Sequence, residues 1–198
     1  MARLSLQVRE DIKRQVPKLA KTQLNKQVRK DFKRIKNQMI KEFLALPVTQ
    51  ELMAGPGSSN ISGTLRGVTN LFAFIGFDSS DRPVDVLLEL LQRTDVQFQK
   101  TISKGNRVGA QYIVNLPTPE EIFAKTPMPW ALGRSWVKGI ESGISGLGFL
   151  LRKNNKGRSG RAIQSRVKVR GGSFKPTPYM TAFLTKYKKK FESLDQKS

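Results

Sequence analysis

Residues 94–116 read TDVQFQKTISKGNRVGAQYIVNL, and how this stretch folds decides the class of the protein. Val96, Phe98 and, less regularly, Ile102 alternate with polar side chains. A turn containing Gly105 follows, and AQYIVNL then supplies a second β-rich run. Alternation at a period of two, interrupted by glycine, predicts two antiparallel strands with one face buried. Helical patterns surround them. In RPVDVLLELLQR, Val84, Leu87, Leu88 and Leu91 recur at helical spacing after Pro83, which predicts a short helix lying on the sheet. In TPEEIFAK, Thr118 and Glu121 form a capping pattern that marks another helix, and Glu120 and Glu121 suit its first turn through the helix dipole.

Further out, both ends read as amphipathic helices. Leu24, Val28, Phe32, Ile35, Met39 and Phe43 are spaced by three or four residues. They therefore form one stripe of a long helix between Lys18 and Leu46, entered at Pro17, with Arg29, Lys30, Lys33, Arg34, Lys36 and Lys41 around the rest. Residues 4–14 are expected to be a separate short helix or an arm. Met180, Phe183, Leu184, Tyr187 and Phe191 form a similar stripe in a C-terminal helix whose lysines crowd its later half. The expected class is thus α+β, a small antiparallel sheet flanked by helices with a long basic N-terminal helix and a C-terminal helix. The expected organisation is a basic helical extension over residues 1–46 and an α+β domain over residues 60–194.

Two apolar segments are harder to place. TLRGVTNLFAFIGFD, residues 64–78, is dense in aromatic and branched residues and suits a strand or a hairpin, a buried strand being the favoured reading. The segment from Thr126 to Lys153 interrupts an apolar set containing Trp130, Trp136 and Phe149 with five glycines, which weaken a helix. It is either a loop covering the core or an interaction loop, and in the second case Trp130, Trp136 and Phe149 are the candidate interface residues. RAIQSRVKV, from Arg161, alternates as a strand.

Charge narrows the function. The 198 residues carry a formal net charge of +21, more than solubility asks for, which points to a polyanionic partner. The excess is at the ends. Residues 1–45 hold 13 basic and 4 acidic groups and residues 152–198 hold 14 and 2, whereas residues 46–100 hold 4 and 6. The candidate polyanion-facing residues are Arg29, Lys30, Lys33 and Arg34 on the first helix, and Arg158, Arg161, Arg166, Lys168 and Arg170 in the later cluster. There, cations alternate with small polar residues, a composition that follows phosphates without reading bases.

Cysteine and histidine are both absent, which removes thiol chemistry, disulfides, imidazole catalysis and the usual zinc sites. No metal site, cofactor or catalytic residue is expected. Asp78, Asp81 and Asp85 suit the cap and first turn of the helix at Pro83 better than a magnesium site. GISGLG departs from the dinucleotide-binding order, and GRSGR lacks the Lys-Ser/Thr pair of a phosphate-binding loop. No stretch is long and apolar enough to span a bilayer, the N-terminus lacks the apolar core of a secretory signal, and the NIS triplet at Asn60 is expected to be incidental.

The order of segments SGTLRG, LFAFIGFD, TPMPWALGRSWVKGIESGISGLG, GRSGRAIQ and FKPTPYM, over residues 60–192, resembles the neck, or head–tail joining and tail-completion, proteins of tailed bacteriophages. The resemblance implies a non-enzymatic virion protein related in shape to tail terminators and assembled in the host cytoplasm. It implies a ring of six or twelve copies around a lumen for double-stranded DNA, with portal or head-closure proteins on one side and tail-tube or tail-terminator proteins on the other. The composition alone also admits a cellular protein that binds nucleic acid without sequence preference.

Overall fold

The strand pair expected at residues 94–116 forms, and it gains a third member. In the computed structural model, which describes residues 2–11, 17–67, 69–104, 107–144, 152–154, 162–164 and 174–196, strand β1 (Ala2–Asp11) precedes helix α1 (Pro17–Leu44). Strands β2 (Asp95–Lys104) and β3 (Arg107–Leu116) form a hairpin, and β1 pairs with the other edge of β3, giving the antiparallel order β1-β3-β2. Ala2 stands opposite Leu116 and Asp11 opposite Arg107. Residues 4–14 are therefore neither helix nor arm where described. Their ladder partner lies about 100 residues downstream, and a pairing at that distance leaves no mark on the local pattern.

The other elements are α2 (Pro47–Ala54), α3 (Leu71–Ile75), α4 (Pro83–Gln92), α5 (Pro119–Lys125), the short strands β4 (Pro127–Met128) and β5 (Ala131–Ser135), α6 (Trp136–Ser142), the strands β6 (Arg152–Asn154) and β7 (Ala162–Gln164), and α7 (Met180–Glu192). β4 pairs with β5 and β6 with β7, both antiparallel. The chain is α+β, with a small antiparallel sheet flanked by helices that include the long basic α1 and the C-terminal α7, as the patterns predicted. The compact units are discontinuous in sequence. One comprises Met1–Glu42, Glu89–Pro119 and Thr181–Ser198, the other Phe43–Leu88 and Glu120–Met180.

In the first unit, α1 lies on the sheet. Ala110, Tyr112, Val114 and Leu116 alternate along β3 and are all buried, and the Tyr112 hydroxyl donates to Asn25 of α1. Phe98 stands opposite Tyr112 in the ladder, just before a bulge, and its ring meets Tyr112 edge-on at 5.8 Å. Phe191 of α7 stacks on Phe32 of α1, with ring centroids 5.3 Å apart.

In the second unit, the run at residues 71–77 is a helix and not a strand. Asn70 caps it, its side chain accepting from the Ala73 amide at 2.8 Å, and Gly76 ends it in the left-handed region at φ 87°. Apolar density alone could not separate a five-residue buried helix from a strand. The preceding loop is held by a buried carboxylate. Glu51 on α2 accepts from the amides of Leu71 at 2.6 Å and Ser62 at 2.7 Å, and from Asn60 Nδ2 at 2.9 Å. Asn60 returns its oxygen to the amides of Leu65 and Gly67. The NIS asparagine is thus a structural hub of this loop.

The glycine-interrupted tryptophan segment is part of the same unit's core as far as Ile144. Ser135 caps α6 by accepting from the Lys138 amide, and Trp136, 2% exposed, packs edge-on against Phe77 at 5.8 Å. Gly139 sits mid-helix because a Cβ there would lie 2.8 Å from Met128 Cε and 2.9 Å from Ile144 Cγ1. Close packing demands this glycine, and its propensity cost is offset by that contact.

Candidate nucleic-acid interface

The apolar stripe of α1 is buried at every expected position: Leu24, Val28, Phe32, Ile35, Met39 and Phe43 are each at most 7% exposed. Burying that stripe fixes what the opposite face presents. With 3.6 residues per turn, Lys26, Lys30, Lys33 and Lys41 fall on the line directly opposite, flanked by Arg29 on one side and Arg34 on the other, and all six side chains are exposed. From Lys26 to Lys41 the row runs about 22 Å at 1.5 Å per residue. The four α1 residues expected to face a polyanion are therefore brought together on one surface. Lys26 extends the row and was missed by the sequence reading, although its spacing of four and seven residues from Lys30 and Lys33 carries the same signal.

Other cations of the unit have internal work. Lys36 donates from Nζ to the carbonyl oxygens of Gln92 at 2.6 Å and Thr94 at 2.7 Å, placing its charge at the C-terminal end of α4. Lys186 and Lys190 of α7 converge on Glu42, at 2.6 and 3.3 Å. The hydrogen bond from Lys186 chiefly holds the Glu42 carboxyl down at about 2 against the opposing effect of its partial burial. Lys190 Nζ also lies 4.8 Å from the Tyr187 ring centre. Burial first, and then the Glu42 carboxylate, push the Tyr187 hydroxyl above its ordinary range. Arg34 is partly engaged by Asp31 at 3.3 Å.

Such a row can neutralise successive phosphates of a nucleic-acid backbone. Two side chains able to read base edges are already committed: Gln27 donates to Asp31 at 2.7 Å and Gln38 to Glu42 at 2.9 Å.

The remaining candidates fall elsewhere. Arg158, Arg161, Arg166, Lys168, Arg170 and Phe149 lie outside the described residues. Trp136 is a core residue and cannot serve as an interface side chain without unfolding its surroundings. Trp130 is half-buried, and its indole nitrogen donates to the Ile75 carbonyl at 2.8 Å, which ties the β4–β5 turn to the end of α3. Asp81 caps the loop before α4 by accepting from the Asp78 amide at 2.7 Å, and Asp85 stands in the first turn of α4. Among the described residues no group of three acidic side chains could hold a metal ion, and no helix is long and apolar enough to cross a membrane.

Fold and surface together define an α+β protein with a cationic helix face. No protein-family model, curated protein or solved structure matches the chain.

Proposed function

We propose that this chain is a structural, non-enzymatic protein of the tailed-phage neck, one copy in an oligomeric ring that joins the DNA-filled head to the tail. α1 turns its outer face to the double-stranded DNA in the passage. The observation that carries the reading is the row Lys26, Lys30, Lys33 and Lys41 with its flanking Arg29 and Arg34, exposed because the other side of the helix is buried in the core. The segment order over residues 60–192 supports the placement in a neck, with six or twelve copies between portal or head-closure proteins and tail-tube or tail-terminator proteins.

A surface made of phosphate contacts binds without sequence preference and releases counterions. Six cations imply a log–log salt slope of roughly −5 on duplex DNA. The test combines titration of two unrelated duplexes across a salt series with electron microscopy of the protein mixed with portal and tail-tube proteins. Rings in the assembly and equal, salt-steep binding to both duplexes are the expected result. Salt-steep binding by a protein that never joins the assembly points to a cellular non-specific nucleic-acid-binding protein instead.

A further inference from the structure

The second unit carries a surface of the opposite character. Between the end of α2 and the start of α4 lies a groove of about 520 Å³ whose lining includes Met53, Pro56, Asp81, Arg82 and Asp85. Met53 is 57% exposed, the highest value among the large hydrophobic side chains of the described residues. Arg82 is exposed on the groove lining, its guanidinium donating to the Asp81 carbonyl at 3.3 Å, and Asp85 is exposed at the first turn of α4. The groove therefore offers the exposed Met53 side chain beside two carboxylates and one cation, a lining with one more acid than base. It lies within residues 46–100, where acids outnumber bases by six to four in a chain of +21.

We propose that this groove docks the basic segment of residues 152–173 from a second copy of the chain. That segment carries eight Lys or Arg and no acid, with Ile163, Val167 and Val169 interleaved, so it offers cations for the carboxylates and branched apolar side chains for Met53. Copies charged at +21 repel one another, and an acidic acceptor offsets that repulsion where they meet. A groove and its complement on different parts of one chain make a head-to-tail contact. This inference rests on charge and shape in the second unit and is independent of the DNA-binding reading of α1.

The test uses the full chain and a fluorescent synthetic peptide of residues 152–173, followed by anisotropy at low ionic strength, with sedimentation of the chain alone over a concentration series. The wild type binds the peptide and associates as concentration rises. Asp81→Asn with Asp85→Asn, which keeps oxygen acceptors for the local amides, weakens both by about tenfold, the size of two partly exposed ion pairs. Met53→Ala weakens both with the charges intact. Equal binding by wild type and the double variant overturns the proposal, as does equal binding of a scrambled peptide of the same composition. A wild type that stays monomeric at every concentration and refuses the peptide has its groove filled by its own segment or by another protein, and this too overturns it. Lys30→Gln with Lys33→Gln should weaken duplex DNA binding without weakening peptide binding, so the two surfaces fail or succeed separately.

Discussion

Glu42 and Lys186 stand 144 residues apart in the chain and meet at 2.6 Å, joining the C-terminal end of α1 to α7. The carboxyl is held at about 2, below its ordinary 4.5. A depressed folded-state value means the pair's stabilisation is present above the unfolded value near 4.5 and is lost as pH falls toward 2. Because the Lys186 side chain is 54% exposed, solvent screening limits the pair's worth to about 0.5–1 kcal/mol. Glu42→Gln should cost that much in urea unfolding at pH 7, and the gap from wild type should close by about pH 2. A gap that persists in acid would mean the side chain acts through packing.

Lys36 and Lys30 both lie on α1 but on different sides of it, and replacing each by methionine should separate their effects. Lys36→Met removes the donor to Gln92 and Thr94 and should lower stability by about 1–2 kcal/mol while leaving the salt slope of DNA binding alone. Lys30→Met should leave stability within about 0.5 kcal/mol and reduce the slope by roughly one. Paired denaturation and salt-titration measurements read both.

Glu51 is fully buried and satisfies three donors of the loop that follows α2. Glu51→Ala leaves those donors without their acceptor and should destabilise by about 3–5 kcal/mol. Amide exchange should quicken first at Ser62 and Leu71, ahead of the sheet amides of Tyr112 and Val114. Uniform loss of protection would instead show the loop and the rest of the chain unfolding together.

Gly139→Ala tests the packing of α6. The added methyl meets both Met128 and Ile144 at distances that force them to move, so the helix-propensity gain is outweighed and about 1–3 kcal/mol is lost. Gly57→Ala, where the new methyl meets nothing within 4 Å, should be close to neutral. Thermal melts of the two variants give the comparison directly.

These residues also mark how far the sequence can be read. The stripe from Leu24 to Phe43 and the alternation in β2 and β3 were legible because a helix or strand face repeats along the chain, and burial then follows from the period. The cationic row is legible for the same reason, being whatever the buried stripe leaves outside. The five-residue helix at Leu71–Ile75 was not, because its cap at Asn70 and its stop at Gly76 weigh little against an aromatic run that fits either structure.

Local periodicity thus determined the α+β class, the amphipathic helices α1 and α7 and the exposed cationic side of α1, since each depends on residues within a few turns of one another. Only the tertiary structure decided that residues 2–11 join a sheet through β3, that Lys36, Lys186 and Lys190 are engaged internally while Lys26 and Lys30 face outward, and that Trp136 belongs to the core. Those outcomes depend on partners tens to more than a hundred residues away, brought together by burial and hydrogen-bond satisfaction and not by neighbouring sequence.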